Sequence, residues 1–130
     1  MPIIVPAYSG VLALICLFLA IRVSVVRGGT KVMIGSGGNA RLERAIRAHG
    51  NFIEYVPIAL ILLGFMELQQ DSHTLLHALC LLLIVGRVVH AYGISQVDEK
   101  MPFRITSTLA SQAVLVIAAI TLIINYFHVA

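Results

Sequence analysis

The chain has 130 residues, of which 59% are hydrophobic and only 12% charged, and its mean hydropathy is +0.97. A water-soluble domain carries about 25% charged residues, and a chain this short cannot hide so much apolar surface in its own core. The composition therefore excludes a soluble globular fold and makes lipid the solvent. The net charge of +3 is better explained by contact with lipid headgroups than by nucleic acid, because of where the charges fall.

Residues 1–21 carry no charged side chain. The run from Ile3 to Ile21 matches the roughly 20 residues that cross a bilayer, and it lacks the basic n-region and small-residue cleavage site of a signal peptide. A first helix is expected over about residues 3–26. Residues 28–40 hold five glycines and are expected to be a flexible loop. Their GSGG run has no following Gly-Lys-Ser/Thr and is not a phosphate cradle. A second helix is expected over about 42–68, apolar only from Tyr55 to Met66, and a third over about 74–95, with Arg87 and His90 in its last third. Residues 96–103 form a loop in which Pro102 marks the start of a fourth helix, about 103–128. That last run is charge-free from Ile105, though Thr106, Ser107, Thr108, Ser111 and Gln112 polarise its beginning.

The basic residues sort to one side. Arg22, Arg27, Lys31, Arg41, Arg44 and Arg47 surround the first connection, and Arg87, Lys100 and Arg104 the third, while Glu67 and Asp71 mark the second. With four spans, the first and third connections share a face, which the positive-inside rule makes cytoplasmic; both termini then point away from the cytoplasm. Short connections give an all-α, up-down-up-down four-helix membrane bundle, one domain over residues 1–130. No internal repeat supports an inverted-repeat transporter. Cys16 and Cys80 both lie in apolar runs and read as small hydrophobes, not as a disulfide framework.

Chemistry concentrates where the second span begins. Arg44, Arg47, Asn51, Glu54 and Ile58 recur every three or four residues, so they share one helix face that descends toward lipid. Ionisable groups at that depth mark function by default. Arg87 is placed to pair with Glu54 as a structural ion pair. Against that reading, the single carboxylate of the stripe faces a surplus of Arg22, Arg44, Arg47, Arg87 and Arg104, and arginine forks suit a small ligand carrying carboxylates. His90, alone on an apolar helix, reads as a hydrogen-bonding core residue. His73 and His77 are four apart but lack a third ligand, so no metal is expected.

Arg47-Ala-x-x-Asn51-x-x-Glu54-Tyr55-x-Pro57 resembles the second-helix signature of the membrane-associated proteins in eicosanoid and glutathione metabolism, the MAPEG family. Gly86-Arg87-Val-x-His90 and Pro102-x-Arg104 are similar to motifs of its third and fourth helices, and the pattern looks most like compact bacterial members related to microsomal glutathione transferases. The resemblance implies a homotrimer that binds glutathione between protomers as co-substrate and attacks small lipophilic electrophiles, with transferase and peroxidase activity and a role in detoxification. Carried over by position, Arg47, Asn51, Glu54 and Tyr55 hold the tripeptide, with Arg87 and His90 beside them. Arg22 or Arg27 adds a charge from the first helix, and Arg104 faces the thiol as the catalytic group. Gly50 and Ile94 stand where some members have an arginine and a tyrosine. The alternative is a non-catalytic trimer that binds another small anion in the same cavity.

Overall fold

The computed structural model describes residues 1–96 and 101–129, with side chains for residues 1–96 and 105–128. Four helices follow in order: α1 (Ile4–Thr30), α2 (Ala40–Leu68), α3 (His73–Ser95) and α4 (Met101–Val129). All four are long and apolar enough to cross a membrane, and no strand occurs among the described residues. The molecule is an all-α four-helix membrane bundle.

α2 packs on each of the other three helices and α3 on α1, α2 and α4, whereas α1 and α4 do not meet among the described residues. The cross-section is thus a rhombus with α2 and α3 on its short diagonal. Heptad-like burial builds the core: Val5, Leu12 and Leu19 on α1; Phe52, Val56, Ala59 and Leu63 on α2; Leu76, Leu79 and Leu83 on α3; Val114 and Ala118 on α4. These positions recur every three, four or seven residues, which keeps one helix face inward. The opposite faces, such as Leu14, Phe18, Ile61 and Ile120, are exposed apolar surface suited to lipid.

The first ends of α1 and α2 find different partners for their unpaired backbone groups. Asn39 caps α2, its Oδ1 accepting from the Leu42 amide at 3.0 Å. α1 has no cap of its own. The Glu67 carboxylate, at the far end of α2, instead accepts from the amides of Ile3, Ile4 and Val5 at 2.6, 2.6 and 2.8 Å. The fourth member of that first turn is Pro6, which has no N–H, so none of the orphan donors is left over. A carboxylate there also faces the positive end of the α1 dipole. On the same side, the Tyr8 hydroxyl meets His77 Nδ1 at 2.9 Å, and the Asn125 amide donates to Gln69 and Asp71.

α1 runs four residues beyond its expected end at 26, through Gly28 and Gly29 to Thr30. Arg27 explains this: its Nη1 donates to the carbonyls of Val32 and Gly35, which folds the glycine-rich loop back against the last turn. Lys31, at φ 55, then stops the helix in the left-handed region. That loop is therefore tied down by Arg27, not a free linker.

α3 comes close to α4 at Gly86. A Cβ there would lie 3.3 Å from Ala110 Cβ and 3.4 Å from the Ser107 carbonyl oxygen, so any side chain would press the two helices apart. Gly86→Val should destabilise the bundle by about 1–3 kcal/mol through overpacking, read as a lowered midpoint in detergent-phase unfolding. Glu67→Ala should cost about 2 kcal/mol by uncapping α1, with amide hydrogen exchange accelerating at Ile3, Ile4 and Val5; unchanged exchange there would refute the cap.

Candidate functional site

The largest buried polar side chain is Arg87, 1% exposed near the end of α3. It lies eight residues before Ser95, about 12 Å inside the helix end. An arginine stays protonated in any protein setting, and taking it out of water costs several kcal/mol unless dipoles replace the solvent. Here they come from both neighbouring helices. Nη1 donates to the Asn51 side-chain oxygen at 2.7 Å and to the Asn51 carbonyl at 3.3 Å, and Nη2 donates to the Ser107 carbonyl on α4 at 3.4 Å. The guanidinium carbon lies 5.0 Å from the centre of the Tyr55 ring, a cation–π distance. One side chain thus joins α2, α3 and α4.

Among the described residues no carboxylate takes part. The expected Arg87–Glu54 pair is not formed: among the described residues Arg87 bonds to Asn51 and Ser107, and Glu54 is exposed. The reason is angular. Asn51 and Glu54 differ by about 60° around a helix of 3.6 residues per turn. Asn51 and Tyr55 fall on the edge that turns toward buried Ala48 and Phe52, while Arg47, Glu54 and Ile58 fall on the edge that turns outward. Arg87 Nε is buried without an acceptor among the described residues. Buried N–H groups rarely stay unpaired, so among the described residues this cationic centre is short of an acceptor and of a counter-charge.

The structure brings Asn51, Tyr55 and Arg87 together, with His90, 3% exposed, one turn further along α3 on the same face. Arg47 and Glu54 stand on the exposed face of α2, about 10 Å apart along the axis. Arg22 lies apart from this group, its Nη1 donating to Ser95 Oγ, which in turn donates to the Ala91 carbonyl. Arg44 Nη1 reaches the Ile94 carbonyl at 3.3 Å, so two guanidiniums from other helices meet the negative end of the α3 dipole. The side chain of Arg104, the expected catalytic group, lies outside the described residues. Ile94 is buried and Tyr92 faces outward from the bundle. Among the described residues no cluster of His, Cys, Asp or Glu has metal-holding geometry.

Ser107 was visible in the sequence only as part of a polar start to the fourth span. Its role comes through its backbone oxygen, which also accepts from Ser111 Oγ at 3.3 Å; the pairing of a small residue with Gly86 was the available signal.

Fold and site together define an integral membrane protein whose polar centre lies between three of its four helices. The profile of the MAPEG family matches residues 5–124, and the chain belongs to that family. It is 37% identical over 86 residues to the inner membrane protein YecN of Escherichia coli K12, and to the same degree to YecN of Escherichia coli O6:H1. The matched stretch is 66% of this chain and spans 66% of the length of these relatives.

Asn51→Leu should destabilise the protein by about 3–5 kcal/mol, because it strips a buried charge of its shortest hydrogen bond. Asn51→Asp, which supplies the lacking negative charge at the same place, should hold or raise the unfolding midpoint. If Asn51→Asp falls as far as Asn51→Leu, Arg87 is not the charge that Asn51 serves.

Proposed function

We propose that the protein is a glutathione-dependent transferase, with peroxidase activity toward lipophilic peroxides, working as a homotrimer in a bacterial-type inner membrane. The observation that carries this reading is the buried Arg87 guanidinium, which has no carboxylate partner among the described residues. A cation held in low dielectric by neutral dipoles favours an incoming anion. Membership of the MAPEG family and the similarity to the inner membrane protein YecN of Escherichia coli support the membrane setting. The basic end of the bundle is cytoplasmic in this account, with both termini on the other side.

Glutathione suits the rest of the arrangement. It carries two carboxylates and an ammonium, and the outward face of α2 presents Arg47 and Glu54 in sequence. Arg47 takes a carboxylate by its fork and Glu54 the ammonium, while Asn51, Tyr55, Arg87 and His90 line the inner edge. Arg22, held by Ser95 elsewhere, is left out of this set. Charged groups facing outward at this depth are costly against lipid, which supports their being covered by a neighbouring protomer.

A free thiol with a pKa of about 8.5 is mostly protonated at neutral pH. The role assigned to Arg104 is to stand beside the sulfur and stabilise the thiolate, each tenfold gain in thiolate requiring about 1.4 kcal/mol. The thiolate then attacks an electrophilic carbon reached from the bilayer, forming the C–S bond as the leaving group departs with its electron pair. With a peroxide, two glutathiones supply the two electrons, giving the disulfide, the alcohol and water.

Titrating glutathione into the purified protein at neutral pH should produce a saturable ultraviolet thiolate band. Arg104→Ala should abolish that band and cost about a hundredfold in conjugation rate, while equilibrium binding of glutathione survives. Saturable binding without a thiolate band would support the alternative, a trimer that binds a small anion without turnover. Absence of binding by intact protein would overturn both.

A further inference from the structure

A groove of about 540 Å³ lies between α1 and α3 in the half of the bundle that holds Arg22 and Ser95. Its walls are apolar, with Val11, Leu14 and Phe18 on one side and Val88 and Tyr92 on the other, and the single charged residue among its described lining is Arg22. Leu14, Phe18 and Tyr92 are more than half exposed, so the groove opens sideways into the bilayer. Its occupant therefore enters from the membrane.

Arg22 stands at the level where α3 ends. Its described partner is Ser95, the last residue of α3, and α1 continues eight residues further, about 12 Å. This is headgroup depth on the basic side. A guanidinium has five N–H donors in a planar fork, and Ser95 takes up one nitrogen of Arg22. Among the described residues no Asp or Glu lines the groove. The site thus combines a cation at headgroup level with an apolar channel of ligand size below it, and its volume lies apart from the Asn51–Arg87 centre.

We propose that this groove is a binding site for one anionic phospholipid per protomer, whose phosphate is held by Arg22, itself positioned by Ser95, and whose acyl chain lies along Leu14, Phe18 and Val88. Guanidinium–phosphate pairing is bidentate and charge-assisted, and the Arg44 guanidinium on the adjacent Ile94 carbonyl adds positive potential at the same helix end. Zwitterionic lipid shares the acyl chain but carries an ammonium that Arg22 repels. The site stands independently of the glutathione reading, since none of its residues belongs to that set.

The chain has no tryptophan, so Tyr92→Trp places a sole tryptophan, excited apart from the tyrosines, in the groove. In vesicles of phosphatidylcholine mixed with phosphatidylglycerol, quenching is measured with either lipid brominated on its chains. Brominated phosphatidylglycerol should associate at this position about fivefold more strongly than brominated phosphatidylcholine. The preference should vanish in Arg22→Gln and persist in Arg27→Gln, whose parent residue is occupied by loop carbonyls. Ile123→Trp, on the outward face of α4, should show none. Val88→Trp serves as the reporter if Tyr92→Trp does not fold. Equal quenching by both lipids, equal loss in Arg22→Gln and Arg27→Gln, or shielding from both lipids by a second copy of the chain would each overturn the proposal.

Discussion

The fold depends on keeping one guanidinium charged inside a bundle solvated by lipid. Arg87 is 1% exposed, and the free energy of removing it from water exceeds what any single hydrogen bond returns. Its setting distributes the task over an amide and carbonyl of Asn51, the carbonyl of Ser107 and the face of Tyr55. Those partners sit on α2 and α4, so satisfying the charge fixes the register of three helices at once. Gly86 is the steric condition for this: without a side chain there, α4 comes near enough for its Ser107 backbone to be reached.

The two ends of the bundle are finished by the same device, in which one helix supplies the counter-charge for the end of another. Glu67 on α2 closes the amino end of α1. Arg22 on α1 and Arg44 on α2 close the carboxyl end of α3, which has no basic residue in its own last turn. In lipid, backbone groups at helix ends have less water to turn to, so side chains from neighbouring helices carry more of that role than in a soluble protein. The acidic and basic ends of the bundle are thus tied together by side chains from neighbouring helices.

The sequence made much of this legible and hid the rest for physical reasons. Charge-free apolar runs marked the four spans because lipid tolerates little else, and the Arg47–Asn51–Glu54–Tyr55 spacing marked one polar face of α2. What spacing does not resolve is an arc of about 100° at 3.6 residues per turn. The edge nearest Phe52 turned inward with Asn51 and Tyr55, the other turned outward with Arg47 and Glu54, and in place of an ion pair with Glu54 the Arg87 guanidinium donates hydrogen bonds to neutral dipoles. Glu67 read as a loop charge because its partners are backbone amides more than sixty residues away. Arg27 extended α1 through loop carbonyls, and backbone acceptors leave no trace in residue identity.

The central claim is that Asn51 and Arg87 act as one unit that holds a cation in the bundle without a carboxylate. A double-mutant cycle on Arg87→Met and Asn51→Leu, followed by reversible unfolding in mild detergent, tests it directly. Asn51→Leu leaves the buried guanidinium, and Arg87→Met the half-buried Asn51 amide, without its partner, whereas the double variant removes both. The account predicts a coupling of about 2–3 kcal/mol, with the double variant more stable than Asn51→Leu alone. Additive losses, with the double variant the least stable of the three, would contradict it.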